Sequence, residues 1–236
     1  MKYSFPLPPV VSLPVAGRAE RFPVRRIFCV GRNYAAHAKE MGKDPDRDPP
    51  FFFTKPADAI VEDGRIVAYP PETQDFHYEA ELVVAIGKSG TNIQEDRSRD
   101  HIFGYGIGND LTRRDLQLAA REAGRPWDWG KAFDRSAVIG AIHPGTPVGT
   151  PERGSIRLML NGVVKQSADL LDLIWSVPEV VSILSRSIEI RPGDLVMTGT
   201  PAGVGAMDVG DVCVISIDGL GEITTTIGPR SPGFTR

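Results

Sequence analysis

Short apolar blocks separated by glycine and proline dominate the chain, a pattern that predicts many short strands and few helices. "RIFCV", residues 26 to 30, reads as a strand stopped by Gly31, and "FFFTK" and "GRIVAYP" read likewise. "HYEAELVVAIG", residues 77 to 87, is a strand in which two carboxylates run straight into Leu82-Val83-Val84-Ala85-Ile86. "HIFGYGIGND" carries three glycines toward Asp110 in an extended segment. "RPGDLVMTG" reads as a turn into a strand, and the tail "DVCVISIDGLGEITTTIG" as two alternating strands joined by a glycine-rich hairpin.

Three stretches predict helices. "NYAAHAKEMG" begins at Asn33 as N-cap and stops at Gly42. "LTRRDLQLAAREAG" offers Thr112 as cap with Asp115 three residues on, an apolar stripe of Leu116, Ala119, Ala120 and Ala123, and Gly124 as its end. Ser176-x-x-Glu179 makes a capping box ahead of Val180, Val181, Ile183 and Leu184. Residues 1 to 25 read as an extended arm broken by Pro6, Pro8, Pro9 and Pro14, followed by one domain over 26 to 236.

Composition narrows the class. With 236 residues, 41% hydrophobic and 24% charged, the chain can build a substantial core, and a formal net charge of −3 gives no reason to expect nucleic acid or an anionic membrane. There is no apolar stretch of membrane-spanning length, and the prolines of the amino terminus make a poor secretory signal. Cys29 and Cys213 both sit in apolar strand-like runs, as reduced buried thiols of a cytoplasmic protein would.

Candidate chemistry gathers in a few places. Glu79 and Glu81 are two apart on a strand, so they share a face and call for a counter-charge. A divalent cation with all-oxygen ligands is one solution, with Asp110 as third ligand; a solvent-facing edge or a lysine-paired surface fits the same spacing. His37 and Glu40 are three apart on a predicted helix, an arrangement that suits a general base oriented by a carboxylate and equally an ordinary surface helix. Alternation turns His77 toward the face of Glu79. Lys131, beside two tryptophans, can hold a substrate carboxylate or stabilise an enolate, or can be a structural lysine. The loop "MTGTPAGVG" lacks a P-loop ending, yet its amides and Thr200 can bind an oxyanion.

The order of these pieces carries more than any one of them. "VGRNYAAHAKEMG", "FFFTKPADAI", "HYEAELVVAIGK", "GYGIGNDLTRRDLQ", "GRPWDWGKAFDRSA" and "GDLVMTGTPAGVG" together resemble the fumarylacetoacetate hydrolase family from about residue 25 to 227. The resemblance implies an α+β, β-rich fold of mixed sheets rolled into a compact body with a few helices, assembled as a homodimer. It implies Mg²⁺ (or Mn²⁺) at Glu79, Glu81 and Asp110, a catalytic His37–Glu40 pair with Lys131, and Gln117 and Thr200 lining the pocket. Arg32 is the candidate partner for a distal substrate carboxylate. Within the family the motifs look most like the acylpyruvate hydrolases, which implies cleavage of a carbon–carbon bond in a 2,4-dioxo acid such as fumarylpyruvate. "AFDRSAVIGAI" departs from the pattern in lacking a proline after its phenylalanine-aspartate. The enzymatic alternative is decarboxylation of a 2-oxo diacid such as oxaloacetate, which uses the same electron sink; a metal-binding module without turnover is the non-enzymatic one.

Overall fold

The computed structural model of the chain describes residues 2–35, 48–145 and 152–231. Its centre is a mixed sheet whose path runs Phe51–Lys55, Arg26–Gly31, Asp194–Met197, Ala80–Ile86, Ile102–Asp110, Ala137–Ile139 and Ile60–Glu62. His143–Pro144 pairs with Ile102–Asp110 off that path. Two of the pairings are parallel, Asp194–Met197 on Arg26–Gly31 and Ala137–Ile139 on Ile60–Glu62, and the others along the path are antiparallel.

The run Leu82–Ile86 is apolar without a break because this sheet is covered on both faces. Leu82, Val84 and Ile86 point into a core shared with a five-stranded sheet, through residues such as Ile156, Leu158, Ile215 and Ile223. Val83 and Ala85 point the other way, onto Cys29, Met197 and the amino-terminal segment. There, within the expected extended arm, Ser12–Pro14 and Arg21–Pro23 pair as a small antiparallel sheet, and Leu13, Val15 and Phe22 are buried.

Three α-helices stand among the described residues, α1 over Arg114–Glu122, α2 over Asp128–Lys131 and α3 over Val177–Ser187. The Ser176–Glu179 capping box at α3 forms as the spacing predicts, with Ser176 N donating to Glu179 Oε2 at 2.9 Å. Helix α3 buries Val177, Val180, Val181 and Leu184 in the first core.

Two sequence expectations are corrected. Thr112 does not cap α1: it belongs to a short strand and its hydroxyl donates to Asp110 O, while Asp115 accepts from Thr73 Oγ1 and Gln74 N. The stripe Leu116, Ala119, Ala120 and Ala123 does not face the core either; Ala119 and Ala123 are exposed, and α1 buries Arg114 and Gln117 instead. Asn33, expected as an N-cap, has a buried amide that donates to Trp175 O and Thr198 O and accepts from Trp175 N. The remainder of that predicted helix lies outside the described residues.

Cys29 and Cys213 are both fully buried, and burial pushes the Cys213 thiol up to about 12. Neither sulfur should react with Ellman's reagent in the native protein, and both should react once it is unfolded; a native-state thiol count of one or two would contradict this packing.

Candidate active site

Strand pairing brings the carboxylates together. Glu79 sits at the break between the strands Phe76–Tyr78 and Ala80–Ile86, where the first leaves for a separate three-stranded sheet. Ala80 pairs with Asn109 and Glu81 with Gly108, so Asp110 stands opposite Glu79, its N–H donating to Glu79 O at 2.9 Å. All three carboxylates are buried, and one oxygen from each lies within 4.8 Å of the others. Glycine at 108, opposite Glu81, lets the core close against this pairing: a Cβ there would stand 2.7 Å from Val83 Cγ2 and 2.8 Å from Met197 Cε.

Three buried cations, each from a different segment, close around the three acids. Lys131, at the end of α2, donates to Glu79 Oε2 at 2.6 Å and to Asp110 Oδ2 at 2.8 Å. Arg114, opening α1, donates to the other oxygen of Glu79 and, at 2.5 Å, to Gln117 Oε1. Lys55, closing the edge strand Phe51–Lys55, lies 2.8 Å from Asp110 Oδ1 and donates to Leu111 O at 3.1 Å and Lys131 O at 2.5 Å. The approach to Oδ1 is an ion pair without hydrogen-bond geometry, since that oxygen accepts no hydrogen bond. Lys131 reaches the acids because α2 packs tightly on α1: a Cβ on Gly130 would meet Gln117 N and Cβ at 2.8 Å.

Glu81 is the least compensated acid. Among the described residues its carboxylate accepts one hydrogen bond, from Gly199 N at 2.7 Å, and no cation pairs with it directly. Burial, then Asp110 and Glu79, push its carboxyl well above the ordinary carboxylate range, with Lys131 and Gly199 N opposing. Burial also works against the charge on Lys131, but Asp110 and Glu79 outweigh it and hold the ammonium above the usual lysine value. A cluster of three buried carboxylates with one short of a partner can hold a hard divalent cation; oxygen donors alone suit Mg²⁺ or Mn²⁺ better than zinc.

The cluster forms the floor of a cleft also lined by Val30, Arg32, Phe53, Gln117, Trp127 and Thr200. The residues expected at the site from sequence therefore meet here: Glu79, Glu81, Asp110, Lys131, Arg32, Gln117 and Thr200. His37 and Glu40 lie outside the described residues. His77 is not one of the grouped carboxylate ligands; it bonds Asp75 at 2.7 Å and accepts from Arg114 Nε at 3.4 Å, behind the guanidinium that holds Glu79. In the "TGTP" loop, the Gly199 amide is taken up by Glu81, and Thr200 Oγ1 accepts from Gln166 Nε2 at 2.8 Å.

Sequence reasoning missed Lys55 and Arg114. A lysine closing an aromatic strand looks like a solvent-facing end, and the second of two adjacent arginines at a helix start looks like surface charge. The available signal was the count of acids: three carboxylates in one place need more than Lys131 to balance them.

The fold and this cleft define a member of the fumarylacetoacetate hydrolase family. The family model for the fumarylacetoacetate (FAA) hydrolase C-terminal region matches residues 26–228, and the chain belongs to that family. More particularly, it is 47% identical to fumarylpyruvate hydrolase of a Ralstonia species over 80% of this chain and 99% of that protein. The crystal structure of fumarylpyruvate hydrolase from Pseudomonas aeruginosa in complex with Mn²⁺ and pyruvate superposes with a TM-score of 0.95 at 53% identity, covering 97% of this chain and 100% of that one. Oxaloacetate tautomerase YcgM of Escherichia coli is 36% identical over 87% of this chain and 94% of its own length.

Replacing Lys55 with methionine keeps its volume but leaves Asp110 and two carbonyls without their ammonium. Removing one partner from a buried ion pair costs about 3–5 kcal/mol. Urea unfolding of Lys55→Met should show a loss of that order, and a change under 1 kcal/mol would mean that the pair is not buried as described.

Proposed function

We propose that this enzyme hydrolyses a carbon–carbon bond in a 2,4-dioxo acid, with fumarylpyruvate as substrate and fumarate and pyruvate as products. The observation that carries the proposal is the buried Glu79–Glu81–Asp110 cluster at the floor of a cleft that also holds Lys131. Its support is the likeness to a fumarylpyruvate hydrolase solved with Mn²⁺ and pyruvate. We assign Glu79, Glu81 and Asp110 as ligands of Mg²⁺ or Mn²⁺. When bound, that ion supplies Lewis acidity toward the oxygens of the 2-oxo acid.

The residues of the chain divide the remaining work. Gln117 and Thr200 line the wall against which the 2-oxo acid is oriented, and Arg114 keeps Gln117 in place. His37, oriented by Glu40, takes a proton from water, and the resulting hydroxide adds to the C4 carbonyl. The tetrahedral adduct collapses with cleavage of C3–C4; the acyl half leaves as fumarate, and the bond electrons pass to C3 as pyruvate enolate. Lys131, held charged by its two carboxylates, stabilises the negative charge developing there. The proton removed from water returns to C3, which completes pyruvate. With the three acids of the floor already matched by Lys55, Lys131 and Arg114, an added divalent ion leaves the floor net positive, and a dianionic enol or enolate fits that charge.

A second activity is favoured by the 36% identical oxaloacetate tautomerase. Keto–enol exchange uses the same enolate and the same protonation at C3, without attack by water. We further assign the enzyme to the cytoplasm and to a homodimer, on family resemblance. No described helix is long and apolar enough to cross a membrane.

With Mg²⁺ present, fumarylpyruvate should lose its dienol absorbance while fumarate and pyruvate form in equal amounts, and excess EDTA should abolish this. Pyruvate and CO₂ from oxaloacetate, with no cleavage of fumarylpyruvate, would reverse the assignment in favour of a decarboxylase. His37→Ala should lower kcat by about 10²–10⁴, the usual worth of a general base. Glu81→Ala should fall further, because it removes a metal ligand and with it the anchor of the 2-oxo acid; equal residual rates would count against the roles given to these two residues.

A further inference from the structure

Among the described residues the cleft has three cationic side chains in its lining, Arg32, Arg114 and Lys131. Arg114 and Lys131 are engaged by Glu79 and Asp110 on the floor. Arg32 is not: its Nε is buried, with no hydrogen-bond partner among the described residues. It is held by ring faces instead, its guanidinium carbon lying 5.4 Å from the centroid of Phe51 and 5.9 Å from that of Trp127. Those two rings meet edge to face at 5.1 Å and 89°, so they form one wall. The backbone of Arg32 is left-handed, with φ of 57°, a conformation that non-glycine residues keep where the surroundings over-determine it. Burial and the nearby Arg121 lower the guanidinium from its ordinary value, with Asp48 opposing, yet an arginine remains charged throughout the physiological range.

A stacked, pre-oriented guanidinium with an unused buried N–H is suited to receive a planar carboxylate. Phe53 and Trp127 also line the cleft, offering flat apolar surface to a short conjugated chain. We propose that Arg32 is the specificity-determining residue of this site: it selects 2-oxo acids whose far end carries a second carboxylate, and disfavours those whose acyl chain ends in a methyl group. The proposal rests on the substrate orientation given above, with the 2-oxo acid at the carboxylate floor.

The test uses two ligands that cannot be cleaved because they lack a 4-oxo group. 2-Oxoheptanedioate has the carbon count of fumarylpyruvate and both terminal carboxylates; 2-oxoheptanoate differs only in lacking the distal one. Calorimetric titration of the full-length protein with Mg²⁺ present should show the diacid binding about 10–100-fold more tightly, the equivalent of one charge-assisted pair. In Arg32→Met that preference should disappear while pyruvate, which reaches only the floor, still binds. Arg32→Lys should recover part of it, as a point charge replaces a bidentate fork.

No diacid preference in the wild type, or a preference that survives in Arg32→Met, would overturn the proposal. Arg32→Asn, which tolerates the left-handed backbone, guards against a folding defect. Loss of pyruvate binding in both Arg32→Met and Arg32→Asn would assign Arg32 to the architecture of the cleft and also overturn it. Failure of the hydrolase assignment is a separate result: fumarylpyruvate would not be cleaved, while the diacid preference and its dependence on Arg32 remained.

Discussion

The charge balance of three buried acids by three buried bases is the constraint on which the rest of this structure depends. Glu79, Glu81 and Asp110 cannot share one dry volume as anions unless positive charge comes with them. Lys55, Lys131 and Arg114 supply it from an edge strand, a short helix and the start of a longer one. Their hydrogen bonds reach further than the carboxylates. Lys55 ties the edge strand to the carbonyls of Leu111 and Lys131, and Arg114 ties α1 to both Glu79 and His77. The site is thus a structural joint as well as a place for chemistry.

The sheet makes that joint possible. Covered on both faces, it fixes the register of Ala80–Ile86 against Ile102–Asp110, because a slip of one residue would turn every apolar side chain to the wrong core. The same register sets Asp110 opposite Glu79. The cost of burying like charges is therefore met by a pairing that the apolar residues already enforce, and the acids are pre-organised by strands rather than by loops.

Charge is graded along the cleft. At the floor the acids and bases are matched, with Glu81 left nearest to needing a cation. At the wall Arg32 is positive and stacked, with its Nε lacking a hydrogen-bond partner among the described residues. A ligand with a 2-oxo acid at one end and a carboxylate at the other complements both regions.

Much of this was legible in the sequence, wherever the signal is local. Alternation put Glu79 and Glu81 on one face, the strand-ending Asp110 was visible after its glycines, and the Ser176–Glu179 box marked the start of α3. The motif order carried the family. Period fixes only the direction in which a side chain leaves the backbone; what it meets there is settled by segments distant in sequence. The amide of Asn33 is thus met by Trp175 and Thr198, partners no local pattern could name, and the alanine stripe of α1 looked like its core face, although Arg114 and Gln117 are what it buries. The sequence by itself determined several of the central strands, the two-residue spacing of the glutamates and the family. Only the tertiary structure decided that Lys55 and Arg114 belong to the site and that Arg32 stacks on Phe51 and Trp127, because charge balance and ring contacts are made across the fold and leave no period in the chain.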